Sequence, residues 1–167
     1  DEYLLRSIID TFRHFAENGI LWETFELYLD SEGVSCYHFA RPLLYTANLL
    51  GLFKRLIFHA DGTIEQGQPV SEREFLLSGI SLNTRLESLD IRSNETGGQI
   101  TLGDYQALNL LLQTTSRLSS LAILDMTNLD LQLLTQGLAQ NKTLQKLSLS
   151  LRQCDVPDAS IANIISK

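Results

Sequence analysis

A leucine pattern recurs in the second half of the chain and constrains its fold more than any other feature. Leu118 and Leu144 open two of the segments that carry it, and Asn128 and Cys154 follow these segments. The interval between the two leucines is equal to the interval between Asn128 and Cys154. Two independent markers with one period predict a repeated structural unit. Three segments show the L-x-x-L-x-L arrangement of aliphatic residues: RLESLDI (85–91), RLSSLAI (117–123) and TLQKLSL (143–149).

The residues before each segment repeat as well. Pairs of aliphatic residues four positions apart place both side chains on one face of a helix, so each unit is predicted to be a helix, a short loop and a strand. The interval from Leu86 to Leu118 is longer than that from Leu118 to Leu144, which predicts six inserted residues at SNETGG, 93–98, where Gly and Asn favour a surface loop. The aliphatic pairs are Leu76 and Ile80, Leu108 and Leu112, and Leu134 and Leu138.

This pattern, with its following Asn or Cys and helices such as LLTQGLAQNKT, resembles leucine-rich repeats of the ribonuclease-inhibitor-like type over residues 71–167. The resemblance implies an α/β solenoid with a short parallel sheet. The lack of a polar final unit predicts either that more repeats follow or that the last helix closes the stack imperfectly. It implies that Asn128 and Cys154 are structural anchors that satisfy buried backbone groups, which cost about 1–3 kcal/mol each when unpaired. Family members usually have two residues between the last leucine and the anchor. In this chain four residues precede Asn128 and Cys154 at that place, which predicts an irregular turn.

Residues 1–70 show no such period and are predicted to form a separate, mostly helical domain that caps the repeats. The first predicted helix, EYLLRSIIDTFRHFAENG, ends at Gly19. The second, LWETFELYLDSEG, is predicted from the spacing of Leu21, Phe25 and Leu29. The third, FARPLLYTANLLGL, is expected to hold Pro42 in its first turn.

The stretch FKRLIFHADGTIEQG completes this segment. Its Asp61-Gly62 pair predicts a β-hairpin, and three helices followed by a hairpin resemble a winged-helix domain. The resemblance implies DNA binding through the third helix, over about residues 37–48, where Arg41 is the only cation. The segment has five Lys and Arg against ten Asp and Glu, so too few phosphates would be neutralised. Capping of the repeats and docking to protein are therefore the preferred roles.

The composition narrows the compartment and the class of partner. The chain has 167 residues with a net charge of −7, which disfavours nucleic acid and anionic membranes as main partners. No apolar run approaches the roughly 20 residues that a membrane span needs. Two sparse cysteines, Cys36 and Cys154, predict reduced thiols and a cytoplasmic protein, or one in the host cytosol if it is a secreted bacterial effector. Two Asn-x-Thr triplets, 94–96 and 141–143, fit the glycosylation pattern and leave an alternative open.

Nothing in the sequence points to catalysis, a metal or a cofactor. Cys36 and His38 are the only Cys and His near each other, and two residues apart on a helix they point to different faces. There is no Gly-rich phosphate loop, no paired-Cys zinc spacing and no Gly-x-Ser-x-Gly elbow. The prediction is a non-enzymatic chain without cofactors. An acidic helix face, expected to be solvated surface, is formed by Glu23, Glu26, Asp30 and Glu32.

The predicted function is protein binding through the concave face of the repeats, by a chain that is monomeric in isolation. Residues between the leucines alternate toward the solvent side of each strand. This surface is expected to have no aromatic anchor, with Arg92 as its only hot-spot residue, and the 93–98 loop is a second candidate contact. The predicted partner-binding residues are Glu87, Asp90, Arg92, Ser120, Leu124, Gln145, Lys146 and Ser148.

Two alternatives remain at this point: a nucleic-acid-binding regulator that uses the winged helix, and an adaptor that brings partners to ubiquitin machinery, by analogy with other intracellular leucine-rich proteins. We expect no tight DNA complex in a gel-shift series over salt concentration, because the segment is acidic. Tight binding with a steep salt dependence that Arg41→Ala abolishes would establish the nucleic-acid alternative instead.

Overall fold

A computed structural model describes residues 2–29, 34–60, 77, 79–92, 101–127 and 131–152. Within these ranges α-helices and β-strands alternate along most of the chain, and Leu77, Gly79 and Ile80 are also helical. None of the helices in these ranges is long and apolar enough to cross a membrane. The elements are α1 (Glu2–Glu17), β1 (Trp22–Leu29), α2 (Val34–Leu49), β2 (Phe53–Ala60), β3 (Ser88–Arg92), α3 (Leu102–Thr114), β4 (Ser120–Thr127), α4 (Leu131–Gln140) and β5 (Lys146–Arg152).

The strands form one five-stranded sheet in which every pair of neighbours is parallel. Their order in the sheet is their order in the chain, from β1 at one edge to β5 at the other. Parallel neighbours need a crossover connection, and helices supply it between β1 and β2, β3 and β4, and β4 and β5. The fold is therefore α/β with an all-parallel sheet, as predicted.

The register brings equivalent residues of all five strands side by side. The segments that begin at Leu86, Leu118 and Leu144 lie next to one another as parallel strands, which confirms the prediction from their spacing. The same arrangement extends to β1 and β2, where WETFEL and FKRLIF place aromatic residues at some of the leucine positions. Two rows cross the sheet: Phe25, Leu56, Leu89, Leu121 and Leu147, then Leu27, Phe58, Ile91, Ile123 and Leu149.

This register corrects the predicted period. The steps along the chain from Phe25 to Leu56, from there to Leu89 and then to Leu121 are nearly equal in length. Only the last step, from Leu121 to Leu147, is shorter, and it repeats the interval from Leu118 to Leu144. The longer interval is thus the common one among the described strands, and only the step to β5 has the interval from which the insertion was inferred. The 93–98 loop itself lies outside the described residues.

The predicted second helix is wrong, because residues 22–29 form strand β1. The spacing of Leu21, Phe25 and Leu29 fits a helix, but Phe25 and Leu27 also alternate with polar neighbours as in a strand. Pairing of β1 with β2 over seven residue pairs decides between the two periods. The predicted acidic helix face is lost with this helix, and Asp30 and Glu32 lie outside the described residues.

The predicted hairpin is wrong as well. Strand β2 pairs in parallel with β1 on one edge and with β3 on the other, so it has no free edge for an antiparallel partner. Asp61 and Gly62 lie outside the described residues. The sheet runs without interruption from strands before residue 70 to strands after it, although the division into domains 1–70 and 71–167 stays a prediction.

The helices pack on one face of the sheet. The core joins strand residues of the two apolar rows to α1, α2, α3 and α4, for example Phe12, Leu44, Leu108 and Leu134. Ile57, which is on the opposite face of β2, is buried but does not belong to this core. One face of the sheet therefore carries the core, and none of the described helices covers the other.

Helices α1 and α2 both stop at a glycine in the left-handed conformation. Gly19 has a φ of 67° and Gly51 a φ of 60°. In α1 the Ile20 amide donates to the Phe15 carbonyl, and in α2 the Leu52 amide donates to that of Ala47, which is the hydrogen-bond pattern of a Schellman cap. The end predicted for α1 is confirmed. Pro42 is in the interior of α2 rather than its first turn, because the helix begins at Val34.

Two asparagines anchor the turns that lead into the repeat strands. Asn83 is 2% exposed; its side chain donates to the Phe53 carbonyl at 3.1 Å and accepts from the Arg85 amide. Asn141 donates to the Leu112 carbonyl at 2.7 Å and accepts from two following backbone amides. Each stands three residues before the first leucine of its segment. The predicted anchors after the strands, Asn128 and Cys154, lie outside the described residues.

Helices α3 and α4 meet at a glycine. The Asn109 side chain accepts from the Gly137 amide at 2.8 Å and donates to the Leu133 carbonyl. Leu133 and Gly137 are four residues apart, so this amide takes the place of one hydrogen bond of the α4 ladder. A Cβ at position 137 would lie 2.9 Å from the Asn109 Cα and 2.5 Å from its Oδ1.

Gly137→Ala should therefore destabilise the protein by about 1–3 kcal/mol, since the added methyl forces the two helices apart. Gly79→Ala is the matched control: among the described residues its Cβ would meet only Tyr45, at 3.9 Å, and the change should be neutral or stabilising by up to about 1 kcal/mol. Urea unfolding of both variants measures the difference, and equal midpoints would contradict the close helix contact.

Candidate functional site

The side of the sheet that none of the described helices covers is lined largely by polar residues, and we refer to it as the polar face. It consists of the strand residues that alternate with the two apolar rows. The register aligns them into three rows across the strands. The first row is Thr24, Arg55, Ser88, Ser120 and Lys146; the second is Glu26, Ile57, Asp90, Ala122 and Ser148; the third is Tyr28, His59, Arg92 and Leu124.

The predicted partner-binding residues on β3, β4 and β5 fall into these rows. Ser120 pairs with Lys146, and Arg92 pairs with Leu124. The pairing of β4 with β5 shifts after Ile123, so Ser150 does not continue the third row. Glu87 and Gln145 are exposed beside the starts of their strands, where backbone hydrogen bonds link Glu87 and Gln145 to Ser119.

Strands β1 and β2 add an aromatic anchor that the sequence analysis did not expect. Tyr28 and His59 are stacked, with their ring centroids 4.1 Å apart and 13° between their planes. Tyr28 is 66% exposed, whereas the His59 side chain beneath it is only 13% exposed. Arg92 follows them in the same row. Tyr and Arg are among the residue types that carry most binding energy at interfaces.

One carboxylate holds the aromatic pair in place. Glu26 Oε1 accepts a hydrogen bond from the Tyr28 hydroxyl at 2.7 Å, and His59 Nε2 lies 3.1 Å from the same oxygen. The Tyr28 hydrogen bond, followed by that of His59, lowers the pKa of Glu26 below its ordinary value of 4.5. The bond to Glu26 in turn raises the pKa of Tyr28 above 10.0. Both shifts favour the state with an ionised Glu26 and a neutral Tyr28 near pH 7.

A second carboxylate holds two arginines. Asp90 Oδ2 accepts from Arg55 Nη2 at 2.6 Å and lies 3.5 Å from Arg92 Nη2. Asp90 is only 5% exposed, so its contribution is to position the two guanidinium groups, and little of its surface is left for direct contact with a partner. The Arg55 side chain is 45% exposed and that of Arg92 is 34% exposed, which leaves both accessible.

The arrangement is suited to recognition. His59 contacts a carboxylate and a phenol ring, and no Ser or Cys in the described residues donates to it as a nucleophile would. No three His, Cys, Asp or Glu side chains of the described residues converge as metal ligands. Exposed donors, acceptors and a rigid aromatic surface are what a protein interface uses.

Sequence reasoning missed Tyr28 and His59 because β1 was assigned to a helix and β2 to a hairpin. A signal was present in each segment. WETFELYL alternates apolar and polar residues from Thr24 onward, and FKRLIF has the same L-x-x-L-x-L spacing as the later strands when Phe is counted with Leu. The side chains of Cys36 and His38, the neighbouring Cys and His of the sequence, lie outside the described part of the structure.

No protein-family model matches the chain, and no curated protein matches it.

The Tyr28 hydroxyl should control the ionisation of Glu26. In Tyr28→Phe the pKa of Glu26 should rise toward 4.5, because the largest cause of its depression is lost. Since the folded pKa is depressed, the stabilisation by ionised Glu26 is present above pH 4.5 and is lost as the pH falls through the lower folded pKa. Carbon NMR of the Glu26 carboxyl over pH measures both values. Tyr45→Phe, on helix α2, is the control, and an unchanged Glu26 pKa in Tyr28→Phe would contradict the hydrogen bond.

Proposed function

We propose that this chain is a leucine-rich repeat solenoid that binds a protein partner through the polar face and catalyses no reaction. The single observation that carries the proposal is the row of Tyr28, His59 and Arg92 on the face of the sheet that no described helix covers. An exposed tyrosine stacked on a histidine and followed by an arginine is the composition of an interface hot spot.

The preset geometry of these side chains supports the proposal. Binding costs about 0.5–1.5 kcal/mol for each flexible side chain that becomes ordered at an interface. Glu26 already holds Tyr28 and His59 by hydrogen bonds, and Asp90 already holds Arg55. A partner would therefore meet side chains that have lost much of their freedom on folding.

The repeat architecture supports the solenoid part of the proposal. Five strands in chain order, with the same apolar positions in each, are what stacked repeats produce, because a single unit cannot bury its own apolar face. Aromatic residues of β1 contact the helix that would close the end of the stack. The ring of Trp22 packs edge-on against Phe12 and Phe15 of α1, with centroid distances of 5.1 Å to Phe12 and 5.8 Å to Phe15. In this proposal α1 caps the repeat stack.

Protein is a better partner than nucleic acid for this chain. The net charge of −7 opposes a phosphate backbone. The winged-helix resemblance assigns DNA contacts to helix α2. Four residues of this helix are instead buried inside the protein: Ala40, Leu44, Ala47 and Asn48. Two features of that resemblance, the second helix and the hairpin at β2, do not occur in the described residues.

The proposal is tested by quantitative affinity capture with the full chain, followed by titration of the purified partner. The double variant Tyr28→Ala/Arg92→Ala should weaken binding about 30-fold or more, as hot-spot residues do when truncated. The matched control, Tyr45→Ala/Arg13→Ala, removes the same residue types from the exposed surfaces of α2 and α1 and should keep wild-type affinity. Equal binding by both variants would refute the polar face as the interface, and circular dichroism checks that both remain folded.

A further inference from the structure

A second polar surface lies at the beginnings of the strands, whereas Tyr28, His59 and Arg92 lie near the strand ends. Where β2, β3 and β4 begin, a cleft of six residues opens. Lys54 of this cleft precedes His59 by five positions in β2, about 16 Å along an extended strand, so the cleft is distinct from the row of Tyr28, His59 and Arg92. The cleft, called the basic cleft below, is lined by Lys54, Thr84, Arg85, Glu87, Ser116 and Arg117.

The repeat brings these residues together. Thr84-Arg85 stands directly before Leu86, and Ser116-Arg117 directly before Leu118, so neighbouring repeats present the same hydroxyl–arginine pair. The strands that follow are hydrogen-bonded neighbours, about 4.8 Å apart. The next repeat has Lys142-Thr143 instead, so the motif occurs twice and its two copies share the cleft.

The charges of the described residues in the basic cleft are incompletely balanced. These residues include three cations and one carboxylate, Glu87, although the whole chain is acidic. Lys54 Nζ lies 3.5 Å from Glu23, but the guanidinium groups of Arg85 and Arg117 form no ion pair with any described residue. Neighbouring like charges repel, and an anion between them relieves that repulsion.

Arg85 is also held in position. A Cβ at Gly51 would lie 3.4 Å from the Arg85 Cδ and 3.5 Å from its Cγ, so the side-chain stem of Arg85 lies over the bare backbone of this glycine. Contact with this glycine restricts the stem of Arg85, and Arg85 also lines the basic cleft. Two guanidinium forks flanked by hydroxyls suit an anion with three oxygens better than a single carboxylate.

We propose that the basic cleft binds a phosphate monoester on a side chain of a protein partner. Arg85 and Arg117 would hold the phosphate oxygens bidentately, Thr84 and Ser116 would donate from their hydroxyls, and Lys54 would add charge. Nucleic acid is disfavoured because three cations neutralise too few phosphates for an acidic chain. This site goes beyond the proposed function and does not rest on it, because none of its residues belongs to the polar-face rows.

The test is a titration of the full chain with a hexapeptide of glycine and serine that carries one central phosphoserine. Amide NMR shifts at the cleft residues report the site, and isothermal titration calorimetry reports the affinity. The unmodified peptide should bind at least about tenfold more weakly, and Arg85→Gln/Arg117→Gln should weaken phosphopeptide binding at least about tenfold. Lys142→Gln, which removes one exposed cation of the next repeat, is the control and should change affinity less than about twofold.

A charge-preserving variant keeps the test decisive if the Gln variant unfolds. Arg85→Lys/Arg117→Lys keeps both charges but removes the forks, and it should bind the phosphopeptide more weakly than wild type. Equal binding of modified and unmodified peptides, or wild-type affinity in both arginine variants, would overturn the site. Inorganic phosphate that binds as tightly as the peptide would overturn the assignment to a protein partner, as would an oligonucleotide that binds more tightly.

Discussion

The burial of two apolar rows is the interaction on which the rest of the structure depends. Each strand places one residue in the row of Leu89 and one in the row of Ile91, and the helices cover both rows. Because side chains alternate along a strand, a slip of one residue in any pairing would expose that strand's apolar residues and bury its polar ones. The same register therefore also aligns the polar face, which contributes little to the core.

Two carboxylates then organise the polar face in different ways. Glu26 is accessible and gathers an aromatic pair, while Asp90 is buried and gathers arginines. A buried carboxylate is costly unless it is paired with a charge and hydrogen-bonded, and Arg55 supplies both at 2.6 Å. Since the partners in each group come from neighbouring strands, these contacts exist only when the parallel register is correct. The arrangement of the polar face is thus a consequence of strand pairing, and no single segment of the chain produces it.

The strands in the second half of the chain could be predicted from the sequence, whereas the predictions of a second helix and a hairpin in the first half were wrong for an identifiable reason. Leu118 and Leu144 belong to segments with plain aliphatic patterns, and their parallel pairing was predictable. In β1 and β2, tryptophan and phenylalanine stand at positions that align with leucines of the later strands, so a search for leucines does not find these two strands. An eight-residue strand such as Trp22–Leu29 is also too short for periodicity to separate it from a helix. The predicted site lacked Tyr28 and His59 for the same reason, because these residues are on those two strands.

By itself the sequence determined the alternation of helices and strands over the described residues from 101 to 152, the parallel order of the strands at Leu86, Leu118 and Leu144, and the rows in which their polar residues stand. These follow from local periodicity, which is a property of neighbouring residues. Only the tertiary structure decided that β1 joins this sheet, that Tyr28 stacks on His59 beside Arg92, and that Arg85 and Arg117 share one cleft. Those contacts join residues from different strands and turns that are far apart in the chain. Which residues meet depends on the packing of the whole sheet, and no local pattern encodes it.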